Sequence, residues 1–190
     1  IPKLTNNIDN KPMKCLHIIT PVKDSIDSTL ETVKAIMESD ILVPFTYTVY
    51  NDFSTEENTH RLEEAARQWN FRLVNLSDLT DHPSPNYLLV LQTAQKEAIE
   101  ADAGLLIVES DVIVKKNTLQ SLYNGALQQK QCGIAAAVTT DEKGIINYPY
   151  LHAKGHENQV YPEKKHCSFC CSLLTPGLLK AFDFQTLRSE

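Results

Sequence analysis

The chain has no apolar run long enough to span a bilayer, and its polar start, Ile1 to Lys14, is unlike a signal peptide. It has no basic excess either. Against 18 Lys and Arg stand 24 Asp and Glu, a net charge of -6, which leaves no basic stripe for nucleic acid and disfavours a generic polyanion surface. No second Cys-x-x-Cys pair accompanies the cluster His166, Cys167, Cys170 and Cys171, so a four-ligand zinc site is not completed. The cysteines number five, with Cys15 and Cys132 beside them, and read as reduced thiols of a cytosolic protein. No glycine interrupts Pro21-Val22-Lys23-Asp24-Ser25 after the first apolar run, so the glycine-rich phosphate loop expected of a nucleotidyltransferase is missing. Internal repeats and low-complexity segments are absent as well.

At 190 residues the chain suits one well-buried domain spanning 1–190, with 1–14 as a polar N-terminal extension. It starts at Ile1 and runs to Glu190 without an evident stop signal, so it reads as a piece of a longer polypeptide. The expected location is the cytoplasm, at the inner face of the membrane if absent segments carry an anchor.

The most telling stretch is Leu105 to Val112, where an apolar run fit for a buried strand ends in Glu109 and Asp111. An unpaired carboxylate is costly to bury, so these acids belong where the strand emerges into a polar crevice. Hard oxygen ligands there suit Mg2+ or Mn2+, and acids at strand carboxyl ends lie where open α/β sheets bind ligands. Acids after a buried strand also serve simply to solvate a loop or cap a helix.

Apolar runs at Cys15–Thr20, Phe45–Tyr50, Phe71–Leu76, the stretch ending at Glu109, Cys132–Thr139, Ile145–Tyr150 and Ser168–Leu174 read as strands. Between them, helical periodicity follows capping boxes at Ser28/Glu31 and Ser54/Glu57 and recurs over Tyr87–Ala101 and from an Asn117 cap to about Gln129. His82-Pro83-Ser84-Pro85 is a breaker cluster. Residues 151–165 read as a long surface loop able to close over a ligand, and Thr175-Pro176 as the start of a short helix over 177–182. Alternating strands and helices predict a three-layer α/β/α fold with a mostly parallel central sheet. Pro21 and Asp24, Asn51 and Asp52, and Glu109 and Asp111 would then share one rim.

Four stretches in order, residues 18–24 (Ile-Ile-Thr-Pro-Val-Lys-Asp), 50–56 (Tyr-Asn-Asp-Phe-Ser-Thr-Glu), 107–111 (Ile-Val-Glu-Ser-Asp) and Phe169 to Phe184, resemble the family 2 glycosyltransferases, which have the Rossmann-like, nucleotide-sugar-binding GT-A fold. The family pattern has Pro-Val-Tyr-Asn at the first, Asp-Asp-Gly-Ser-x-Asp at the second, and a metal-binding Asp-x-Asp at the third. Asn51 and Glu109 depart from its acids, and Phe53 from its glycine.

The resemblance implies an inverting transferase of polysaccharide biosynthesis. It would move a sugar from a nucleotide-diphosphate donor, a UDP-sugar for preference, to a glycan or lipid-linked acceptor hydroxyl. Pro21 and Val22 would line the nucleotide pocket, Asp52 would bond the base or ribose, and Asp111 would bind Mn2+ or Mg2+. Glu109 would contact ribose or metal, and His152, just after an expected strand, could add a metal ligand; His156 and His166 are lesser candidates. The family's catalytic base follows a Phe-Asp-Glu stretch, matched here by Phe182-Asp183-Phe184. Only Gln185 to Glu190 remain after it, so no base is named, and a noncatalytic nucleotide-sugar-binding domain is the alternative.

Overall fold

A computed structural model describes residues 13–156, 158–163 and 166–188. Its core is a six-stranded sheet in the order β3-β2-β1-β4-β6-β5. The strands are β1 (Cys15–Val22), β2 (Phe45–Asn51), β3 (Arg72–Asn75), β4 (Ala103–Val108), β5 (Ile134–Ala136) and β6 (Cys171–Leu174). The helices are α1 (Ile26–Met37), α2 (Glu56–Trp69), α3 (Tyr87–Glu100), α4 (Thr118–Gln128) and α5 (Pro176–Ala181). β3, β2, β1 and β4 run parallel, while β6 lies antiparallel between β4 and β5.

Period-two alternation in β1 divides the molecule. Leu16, Ile18 and Val22 pack with α1, α2 and α4 on one face, and Ile19 packs with α3 and α5 on the other. β4 is buried along its whole length, as a central strand covered on both faces must be. No helix among the described residues is long and apolar enough to cross a membrane.

Several local expectations are corrected. α1 begins at Ile26, not near Ser28, because the inward stripe of Thr29, Val33 and Ile36 already includes Ile26; the Ser28 hydroxyl donates back to Ser25 O at 3.0 Å. The α2 cap is Thr55, whose hydroxyl accepts from the Asn58 N–H at 3.3 Å, because Ser54 Oγ is taken by the Asp24 N–H at 2.8 Å. Only three residues of the expected 132–139 strand pair, since β5 is an edge strand whose sole partner, β6, is short. Residues 145–150 form no strand. They contribute one bridge, Thr140 to Ile146, around an Asp141 turn whose carboxylate accepts from the Lys143 and Ile145 N–H groups.

The loop expected over 151–165 opens instead on a 3-10 turn, Tyr150–Ala153, and its residues 157, 164 and 165 lie outside the described set. Residues 1–12 of the expected extension do too. Met13, at 4% exposure, belongs to the core rather than to that extension, and its carbonyl accepts from Tyr123 Oη at 2.9 Å.

Candidate functional site

β1 and β4 pair only as far as Ile19 and Ile107. Beyond that register β1 follows β2, with Pro21 beside Tyr50 and Val22 beside Asn51, whereas β4 follows β6, with Val108 beside Cys171 and the Glu109 N–H bonded to Cys170 O at 2.9 Å. The sheet therefore splits at its carboxyl rim where strand order reverses, the position at which open α/β sheets bind ligands. Pro21, Val22 and Asp52 stand on the β1–β2 side of the split, and Glu109 and Asp111 on the β4 side.

On the β2 side, the Asp52 N–H donates to Val22 O at 2.8 Å, fixing the residue against the end of β1. Its carboxylate is clamped by the segment that leads into α3. Oδ2 accepts from Ser84 Oγ at 2.7 Å and from the Asn86 N–H at 2.8 Å, and Oδ1 accepts from Asn86 Nδ2 at 2.8 Å. Burial would raise the Asp52 pKa, but these bonds and the Lys23 ammonium outweigh it and hold the carboxyl below its usual range. Asn51, its neighbour, points to the other face. There its side chain ties β2 to α2 and β3, donating to Thr59 Oγ1 and Asn75 Oδ1, both at 2.9 Å.

The α2 N-terminus faces the same rim and already holds an anion. Asp24 Oδ1 accepts from the Thr55 N–H at 2.7 Å and from Asn58 Nδ2 at 3.2 Å, which keeps its pKa low. Lys23 spans the rim and donates to Phe53 O at 2.7 Å. Asp24 and Phe53 both adopt left-handed backbone, φ 59° and 57°. Phe53 thus takes the conformation that glycine serves in the family's motif, at a cost of order 1–3 kcal/mol.

On the β4 side, Asp111 is exposed and Glu109 half-buried. Burial pushes the Cys170 thiol up, and the charges of both Glu109 and Asp111 add to it. Tyr87, the first residue of α3, buries a hydroxyl that has no hydrogen-bond partner. Its pKa is pushed up by burial and then by the same Glu109. His152 is engaged elsewhere: Nε2 lies 2.9 Å from Glu163 Oε2, and the ring stands edge-on to Tyr161. Among the described residues no three His, Cys, Asp or Glu side chains gather as a metal centre.

Sequence reading passed over Ser84, Asn86 and Tyr87, placing Ser84 in a breaker cluster and Tyr87 at a helix start and leaving Asn86 unassigned. The available signal was a capping-type residue, Asn86, directly before the α3 pattern. In the structure its side chain makes no cap and turns to Asp52.

The sheet order, the split and the acid-bearing strand ends define a GT-A-like glycosyltransferase fold. No family model matches the chain, and no curated protein does. Solved structures do. TarS of S. aureus, residues 1–349 in complex with UDP, is 23% identical, with a TM-score of 0.50 over 64% of this chain and 34% of that one. The mannosyltransferase PcManGT of Pyrobaculum calidifontis, in complex with GDP-Man and Mn2+, is 16% identical, with a TM-score of 0.49 over 73% of this chain and 39% of that one. The present chain thus spans about a third of the TarS structure it matches.

Proposed function

We propose that this chain is a nucleotide-sugar-binding domain, one unit over 1–190, of a glycosyltransferase that moves a sugar from a nucleotide-diphosphate donor to an acceptor hydroxyl with inversion. The observation that carries this reading is the split between β1 and β4, with a clamped aspartate on one side and two acids on the other. The family motifs in residues 18–24, 50–56 and 107–111 fall on that split, and a TarS structure of like fold was solved with UDP.

Within this reading Pro21 and Val22 line the nucleotide pocket, and Asp52 accepts a hydrogen bond from the base or ribose. Asp111 and Glu109 would hold a divalent cation. Two hard carboxylates fit a Mg2+ or Mn2+ ion that takes its other ligands from substrate phosphates and water, and need no third protein ligand. Such an ion, when bound, supplies charge neutralisation for the leaving diphosphate. His152, in its pairing with Glu163, stands as a reserve ligand.

Calorimetric titration of UDP- and GDP-sugars with and without Mn2+ tests the reading. Wild type is expected to bind a donor more tightly with the metal, and Asp111→Ala to lose that increment while keeping its melting temperature, because the side chain is exposed. Manganese-dependent affinity unchanged in the variant would remove Asp111 from the site.

A further inference from the structure

We infer that Ser84 and Asn86 select the nucleobase that Asp52 accepts. They fill all but one of its acceptor positions, so that the pocket takes uracil, with a single N–H on its pairing edge, and rejects guanine. The inference rests on the nucleotide-sugar reading above and names the donor class of that site. An ionised carboxylate offers about four acceptor positions, two on each oxygen. Both positions on Oδ2 are filled, by Ser84 Oγ and the Asn86 N–H, and one on Oδ1 is filled by Asn86 Nδ2. A single position is left, on Oδ1.

Asn86 holds this pattern firmly. It is 8% exposed, its Nδ2 also donates to His82 O at 3.0 Å, and its carbonyl accepts from the Val90 N–H at 3.1 Å in the first turn of α3. Uracil carries one N–H between two carbonyls and can use the open position. Guanine carries its ring N–H and amino group side by side, a pair that a carboxylate receives with both oxygens at once. With Oδ2 filled, the second guanine donor finds no acceptor on Asp52, and a hydrogen bond left unmade on a bound base costs affinity.

Titration of the whole chain with UDP and with GDP, in Mn2+, tests this. Wild type is expected to bind UDP about tenfold more tightly or better, the effect of one unmade hydrogen bond. Ser84→Ala opens a position on Oδ2, leaving one on each oxygen, and is expected to gain about tenfold in GDP affinity, which damage to the loop would not produce. Asn86→Ala opens a position on Oδ1 alone and should show no such gain. Equal affinity of wild type for the two nucleotides overturns the inference and leaves the transferase reading standing, as does a Ser84→Ala variant with the wild-type ratio. A melting curve checks that Ser84→Ala folds; if it does not, the wild-type ratio decides alone. Binding of neither nucleotide to wild type overturns the nucleotide-sugar reading and this inference with it.

Discussion

A histidine inside a sheet must either pair both ring nitrogens or give up its charge, and His17 gives up its charge. It is 5% exposed on the α3 face of β1, with Nδ1 bonded to Thr46 Oγ1 at 2.9 Å. Nε2 sits 3.2 Å from Glu97 Oε2 but without hydrogen-bond alignment, and that carboxylate is paired with Arg72. Burial therefore prevails over the attraction of Glu97, Arg72 adds to it, and the His17 pKa falls below 6.5. The unfolded chain takes up this proton first. The stabilisation is full above pH 6.5 and is lost as pH falls from there towards the lower folded pKa. Melting curves between about pH 7.5 and 5.5 should show the wild-type melting temperature dropping on the acid side, and His17→Gln should flatten that drop. A wild-type melting temperature that rises on acidification would mean that the Glu97 attraction prevails. Sequence showed His17 only as a polar residue in an apolar run. Its partners stand 29 and 80 positions away in the chain, Thr46 on β2 and Glu97 on α3.

Elements were legible where their signals are local. α3, β4 and α5 fall within a residue or two of expectation, because helical and apolar periodicity and a Thr-Pro start need no distant partner. Caps were less legible, since several residues near a helix start could serve, and at α2 the choice went to the hydroxyl that had no competing bond. Ser54 lost to Thr55 for that reason. At α5 the expected cap holds and does more than cap. The Thr175 hydroxyl accepts from the Leu178 N–H at 3.4 Å and donates to Cys132 O at 2.9 Å, tying the helix to the approach of β5. Thr175→Val keeps the shape but loses both bonds. It should cost about 0.5–2 kcal/mol in urea unfolding, the usual worth of a cap. No loss would show that the Thr175 backbone N–H, bonded to Gly133 O, holds this junction without the side chain.

At the scale of the whole molecule, polar ties of long reach join the elements across the sheet, and one residue gathers three of them. Gln95 of α3, 2% exposed, donates to Leu179 O at 2.9 Å and to Phe182 O at 2.5 Å, and accepts from the Phe184 N–H at 2.9 Å. It thereby fastens α5 and the following turn to the α3 face. Gln95→Leu leaves these groups buried without partners and should destabilise by at least about 1–3 kcal/mol. Hydrogen exchange at Phe184 should accelerate more than exchange in β1 or β2. Uniform acceleration across the sheet would instead indicate global loss without a local tie.

Sequence by itself determined the three-layer class, most element positions and the location of the acids at strand ends, because backbone propensity and side-chain periodicity act over a few residues. Only the tertiary structure decided that β1 and β4 part company after Ile19 and Ile107, that β6 runs backwards beside β4, and that Asp52 spends three acceptor positions on Ser84 and Asn86. Those outcomes depend on which groups meet across thirty or more residues of chain. A hydrogen bond is decided by the geometry of both partners, and for these bonds only one partner is present in any local stretch of sequence.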